Sequence, residues 1–117
     1  MKHEEEELQM SCVRWFGYRY PRYAMLLHHS PNGGFRNPRE AGRFKAMGTR
    51  AGFPDLVLLV PRGVWHGLFI EMKSNAGKQT ALQKEYQLMV ETEGYRYEVA
   101  RSFDEFMKIV GDYLSGE

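Results

Sequence analysis

Asp55, Glu71 and Lys73 are the residues whose types and spacing suit catalysis. Glu71 and Lys73 sit in an otherwise apolar run, residues 67–73, that reads as a strand. Side chains alternate across a strand, so Leu68, Ile70 and Met72 share one face, and Phe69, Glu71 and Lys73 the other. The glutamate and the lysine then stand about 6.6–7 Å apart along it. Charges in such surroundings cost desolvation energy unless something compensates them. Pro61-Arg62-Gly63 turns the chain back from a second apolar run, residues 55–60. A hairpin centred on Gly63 sets Asp55 directly across from Glu71, with β-carbons about 4.5–5.5 Å apart; a bulge would shift the pairing by one.

Two carboxylates at that separation repel by roughly 3 kcal/mol at an effective dielectric of about 20. Protonating one acid, neutralising both with Lys73, or seating a divalent cation between them would each relieve the repulsion. Three readings follow: an ion-pair network that holds the hairpin, a carboxylate pair for general acid–base work as in retaining glycosidases, or a metal-assisted phosphodiester hydrolase. The adjacent lysine and the basic middle of the chain favour phosphate over sugar. Oxygen ligands without cysteine favour Mg²⁺ or Mn²⁺. Cys12, the single cysteine, excludes an intramolecular disulfide framework and a cysteine zinc cluster.

Charge is unevenly placed along the 117 residues. The overall charge of +1 divides into −3 over residues 1–12, +7 over 13–50 and −3 over 51–117. A basic middle between acidic ends suits a surface that faces a polyanion, with carboxylates reserved for another task. The length fits one domain, residues 1–117, and 43% hydrophobic residues suffice for a core. With no apolar run long enough to span a bilayer, and four glutamates where a secretory signal would begin, an intracellular, cytoplasmic protein is expected.

The elements that must position the triad read as follows. A first helix spans residues 4–20, buries Leu8, Cys12, Trp15 and Phe16, and stops at Pro21. Residues 24–29 read as a strand closed by the turn Pro31-Asn32-Gly33-Gly34, and 39–47 as a short basic helix. After the hairpin, Thr80 starts a helix with Leu82, Tyr86, Met89 and Val90 on its core face. A strand over 95–100 and a helix capped by Ser102, with Glu105 completing a capping box, end the chain. The order predicts an α/β fold, a central mixed β-sheet flanked by α-helices.

At Gly52-Phe53-Pro54-Asp55, Ile70-Glu71-Met72-Lys73-Ser74 and Gln83, the chain resembles the VRR-NUC (virus-type replication-repair nuclease) family of the PD-(D/E)xK nucleases. Pro31-Asn32-Gly33-Gly34 and Lys45-Ala46-Met47-Gly48 make it most similar to phage-type, stand-alone members. The resemblance implies a restriction-endonuclease-like fold and Mg²⁺- or Mn²⁺-dependent cleavage of DNA, by a homodimer acting on branched, Holliday-junction-like DNA. It implies Asp55, Glu71, Lys73 and Gln83 as catalytic residues. Asp55, Glu71 and the backbone carbonyl of Met72 would hold the metal. It also implies a glutamate from the first helix; of the four present, Glu5 lies closest to the centre of the buried stripe, about 30–40° away. Gln83 also stands three residues after Thr80, as in a capping box, and the two roles are compatible.

DNA contacts are expected from His29, Asn32, Arg36, Arg39, Arg43, Lys45, Arg50 and Lys78, chiefly to phosphates, which supply affinity without reading sequence. His28 and His29 face opposite ways on a strand, so joint ligation of one ion is not expected. The tryptophans and tyrosines read as core or interface residues. The competing reading is a non-catalytic DNA-binding module with the same fold.

Overall fold

In the computed structural model, which describes residues 2–31 and 37–116, the chain opens with helix α1 (Lys2–Arg19). Cys12 and Phe16 are fully buried along its inner face, with Leu8 and Trp15 packed beside them. Pro21 ends α1 but does not release the chain into a strand. Its fixed φ suits a further helical turn, so Pro21–Leu26 forms a 3₁₀ helix. Strand β1 is therefore only Leu27–His29, shorter than the six residues expected. Most of the turn that should follow β1, Asn32 to Gly34, lies outside the described residues, as does Arg36.

Helix α2 (Pro38–Ala46) is the short basic helix, capped by the Asn37 side chain on the Glu40 amide. Strands β2 (Leu56–Leu58) and β3 (Leu68–Met72) form the hairpin. Their register, Leu56↔Ile70 through Leu58↔Leu68, has no bulge and sets Asp55 opposite Glu71. Helix α3 (Ala81–Thr92) crosses over to β4 (Arg96–Ala100), which runs parallel to β3, and α4 (Phe103–Leu114) closes the fold. The sheet order is β1-β2-β3-β4, with antiparallel pairing except at β3/β4.

Alternation along the strands divides the core in two. Leu56, Leu58, Leu68, Ile70, Met72 and Ala100 pack with α1 and α4, whose Phe106, Val110 and Tyr113 point inward. Val57, Phe69 and Tyr97 form a smaller cluster on the opposite face, with Phe53 and Val90 against them. Among the described residues, no helix is long and apolar enough to cross a membrane.

Two expectations about helices need correction. Leu82 and Met89 do not face the core; they are 51% and 56% exposed. The end of the sheet beneath α3 carries Glu71 and Tyr97, so glutamines turn inward there and apolar side chains turn out. At α4, Ser102 caps the Glu105 amide, but the Glu105 carboxylate accepts from the amide of Arg101, one residue earlier than a capping box requires.

Candidate active site

Asp55 stands one residue before β2, where the β2/β3 ladder ends. Its Oδ2 accepts from the Met72 amide at 2.7 Å, so a side chain extends the hairpin by one rung. The N–H and C=O of one strand residue point to the same side. The Met72 carbonyl therefore faces the edge where the Asp55 carboxylate lies, while the next amide, that of Lys73, bonds Ala100 O on β4.

Glu71 is 2% exposed and lies at the centre of the site. Its Oε2 accepts from Gln83 Nε2 at 2.8 Å, and its Oε1 accepts from the Tyr97 hydroxyl at 3.4 Å. Lys73 Nζ is 3.8 Å from Oε2, close enough for charge attraction but not for a tight hydrogen bond. Burial is the main cause that raises the Glu71 carboxyl from 4.5 to about 8; the charge and hydrogen bond of Asp55 add to it, and Lys73 opposes it. The site thus gathers more negative charge than its one lysine neutralises. The donor set fits a hard divalent cation: two carboxylates and a backbone carbonyl, with no sulfur.

Gln83 holds both positions expected of it. Its amide and Oε1 complete a capping box with Thr80, and its remaining side-chain nitrogen reaches Glu71. Two further glutamines at helical spacing from it, Gln79 and Gln87, lie on the same side: Gln79 donates to Gln87 and to the Tyr97 hydroxyl, and Gln87 donates to Glu91. Glu5 reaches the same end of the sheet, where its Oε2 accepts from the Ser74 amide at 3.2 Å. Asp55 and Glu71 form a pair, and among the described residues no three acids, histidines or cysteines form a ready-made metal cluster.

The profile of the VRR-NUC domain matches residues 3–104, most of the chain and all of this site. The chain belongs to the VRR-NUC family. A solved structure described as a VRR-NUC domain protein superposes with a TM-score of 0.84 and 34% identity, over 95% of this chain and 88% of that one. No curated protein matches. The fold of this VRR-NUC chain is accordingly restriction-endonuclease-like, and its family is one of nucleases.

The basic residues of the VRR-NUC chain fall into separate groups. Arg39, Arg43 and Lys45 are exposed on α2, and Arg50 follows it, with Nη1 on the Lys45 carbonyl. Lys78 is exposed in the β3–α3 connection. His29 is tied to the acids, its Nδ1 lying 2.7 Å from the Asp55 carbonyl. Asn32 and Arg36 lie outside the described residues. Two residues at the site escaped sequence reading. Tyr97 supports Glu71 from a parallel strand, whose register no turn announces. Arg101 fastens the loop after β3 by donating to the carbonyls of Ser74 and Gly77.

Proposed function

We propose that this chain is a Mg²⁺- or Mn²⁺-dependent DNA endonuclease that acts on branched DNA as a homodimer. One observation carries the reading: two carboxyls, one nearly inaccessible to water, are held together beside a lysine and a backbone carbonyl. Asp55, Glu71 and the Met72 carbonyl would hold the ion, with Glu5 as a further carboxylate at the flank. A bound divalent ion supplies Lewis acidity toward the scissile phosphate and eases deprotonation of the attacking water.

The residues of the chain do the rest. Gln83 and Tyr97 keep the Glu71 carboxylate in one orientation. Lys73, 9% exposed and held close to Glu71, has an ammonium group that orients the attacking water or stabilises the charge that develops on the phosphate oxygens. Water adds to phosphorus, the bond to the leaving deoxyribose oxygen breaks, and that oxygen gains a proton. Exposed Arg39, Arg43, Lys45, Arg50 and Lys78, with His29, meet the DNA backbone.

The test is cleavage of supercoiled and four-way-junction DNA with Mg²⁺ or Mn²⁺. Asp55→Ala and Lys73→Ala are each expected to lower the rate at least a hundredfold while leaving DNA binding measurable. Binding without metal-dependent scission in the unaltered protein would favour a non-catalytic module instead. Undiminished cleavage in either variant would remove this site from the reaction.

A further inference from the structure

A cleft of about 500 Å³ opens between the end of β1, the turn after α2 and the first turns of α3. His29, Met47, Thr49, Arg50, Phe53 and Tyr86 are among the residues that line it. Its size falls within the roughly 300–1,000 Å³ of ligand-binding clefts. Phe53 and Tyr86 meet edge to face with ring centroids 5.2 Å apart, and Phe53 is braced in turn against Phe69 at 5.6 Å. Tyr86 is half-buried, so part of its ring is open to a ligand, with Phe53 bracing it from behind.

Two links tie the cleft to the reaction. Phe53 precedes Asp55 by only two residues, and the His29 ring bonds the Asp55 main-chain carbonyl at 2.7 Å. A carbonyl can only accept, so Nδ1 carries the proton, and in the neutral ring Nε2 is left as an acceptor. Two of the residues that line the cleft are thus joined to Asp55, one through the chain and one through a hydrogen bond. An aromatic wall edged by a hydroxyl, an imidazole acceptor and a guanidinium suits a flat heteroaromatic group joined to a phosphate. A base inside a duplex is paired and stacked and cannot enter such a cleft, whereas an unpaired one can.

We infer that this cleft receives an unpaired nucleobase adjoining the scissile phosphate, stacked on the Tyr86 ring, with Arg50 on the phosphate beside it. The inference rests on the nuclease reading and narrows its substrate to DNA with an unpaired nucleotide at the point of cleavage. Selectivity follows from structure rather than sequence, because every base presents a π-face.

The experiment uses a duplex with one unpaired 2-aminopurine, the same duplex with an abasic residue at that place, and a fully paired control. Binding is measured with the full chain in chelator, and cleavage separately with Mn²⁺. The expected results are quenching of 2-aminopurine on binding and about tenfold weaker affinity for the abasic duplex. Tyr86→Ala should abolish the quench and bring the ratio of affinities close to one, while Tyr86→Phe retains both. Met47→Trp, at an exposed side chain on the cleft rim, should crowd the cleft and lower the ratio even if Tyr86→Ala does not fold.

Equal affinity for base-bearing and abasic DNA, or a ratio unchanged in Tyr86→Ala and Met47→Trp, overturns the inference. The two readings fail separately. Cleavage without base dependence removes only the base cleft, and base-dependent binding without cleavage removes only the nuclease.

Discussion

A carboxyl at 2% exposure with a second acid as its neighbour holds its proton to a higher pH than an exposed one does. The sign for stability follows. Glu71 ionises near 4.5 when unfolded but only near 8 when folded, so below about 4.5 it is protonated in both states and costs nothing. Between those values the folded protein binds more protons than the unfolded one, and stability falls as pH rises. In chelator, the melting temperature of the unaltered protein should therefore drop relative to Glu71→Gln as pH goes from 5 to about 8, then level off. A difference, unaltered protein minus Glu71→Gln, that stays constant or rises over that window would refute the account. The three charged residues of the candidate site were legible in the sequence because a strand of period two and a tight turn are short-range rules that place Asp55, Glu71 and Lys73 together. Tyr97 was not, since a parallel partner arrives through a crossover helix whose length does not set its register.

The elements show the same division between local and distant causes. The ladder register agrees with the one expected from a turn centred on Gly63, but the tip itself pairs Arg62 with Trp65, one residue out of step with β2/β3, so the shift is absorbed between the tip and the ladder. The inner face of α3 did not follow, because hydrophobic periodicity assumes an apolar surface opposite, and the sheet there presents Glu71 and Tyr97. The loop before Asp55 is seated on α3 through Gly52, at φ +84°. A Cβ there would stand 2.8 Å from both the carbonyl carbon and oxygen of Leu82. Backbone cannot yield as a side-chain tip can, so Gly52→Ala must push α3, and Gln83 with it, away from Glu71. The expected cost is about 1–3 kcal/mol from the backbone conformation alone, with a fall in cleavage beyond the loss of folded protein. Gly42→Ala is the control. It lies within α2 with nothing within 4 Å of its would-be Cβ, and should stabilise by about 0.5–1 kcal/mol without altering cleavage. Denaturant unfolding of both variants separates these outcomes, and a harmless Gly52→Ala would show that the loop does not position α3.

At the scale of the whole molecule, the proposed cleavage of both strands in one encounter calls for a second copy of the paired acids. The edge of the sheet is where such a copy would sit. β1 is an outer strand of only three residues, and beside it Met25, Leu26 and Leu59 are 92%, 37% and 56% exposed, with the Leu59 amide bonded to Leu26 O. Unpaired edges and apolar side chains together invite association, and a stable dimer must bury on the order of 1,200–2,000 Å² in total. Met25→Glu with Leu59→Glu places like charges on both sides of such a two-fold contact without touching the core. Sedimentation should show the unaltered protein as a dimer at micromolar concentration and the double variant as a monomer with an unchanged far-UV spectrum. On supercoiled DNA the dimer should produce linear product early, whereas the monomer should accumulate nicked circles because each strand is cut in a separate encounter. A monomeric unaltered protein, or a double variant that still sediments as a dimer, would show that this edge does not join two copies.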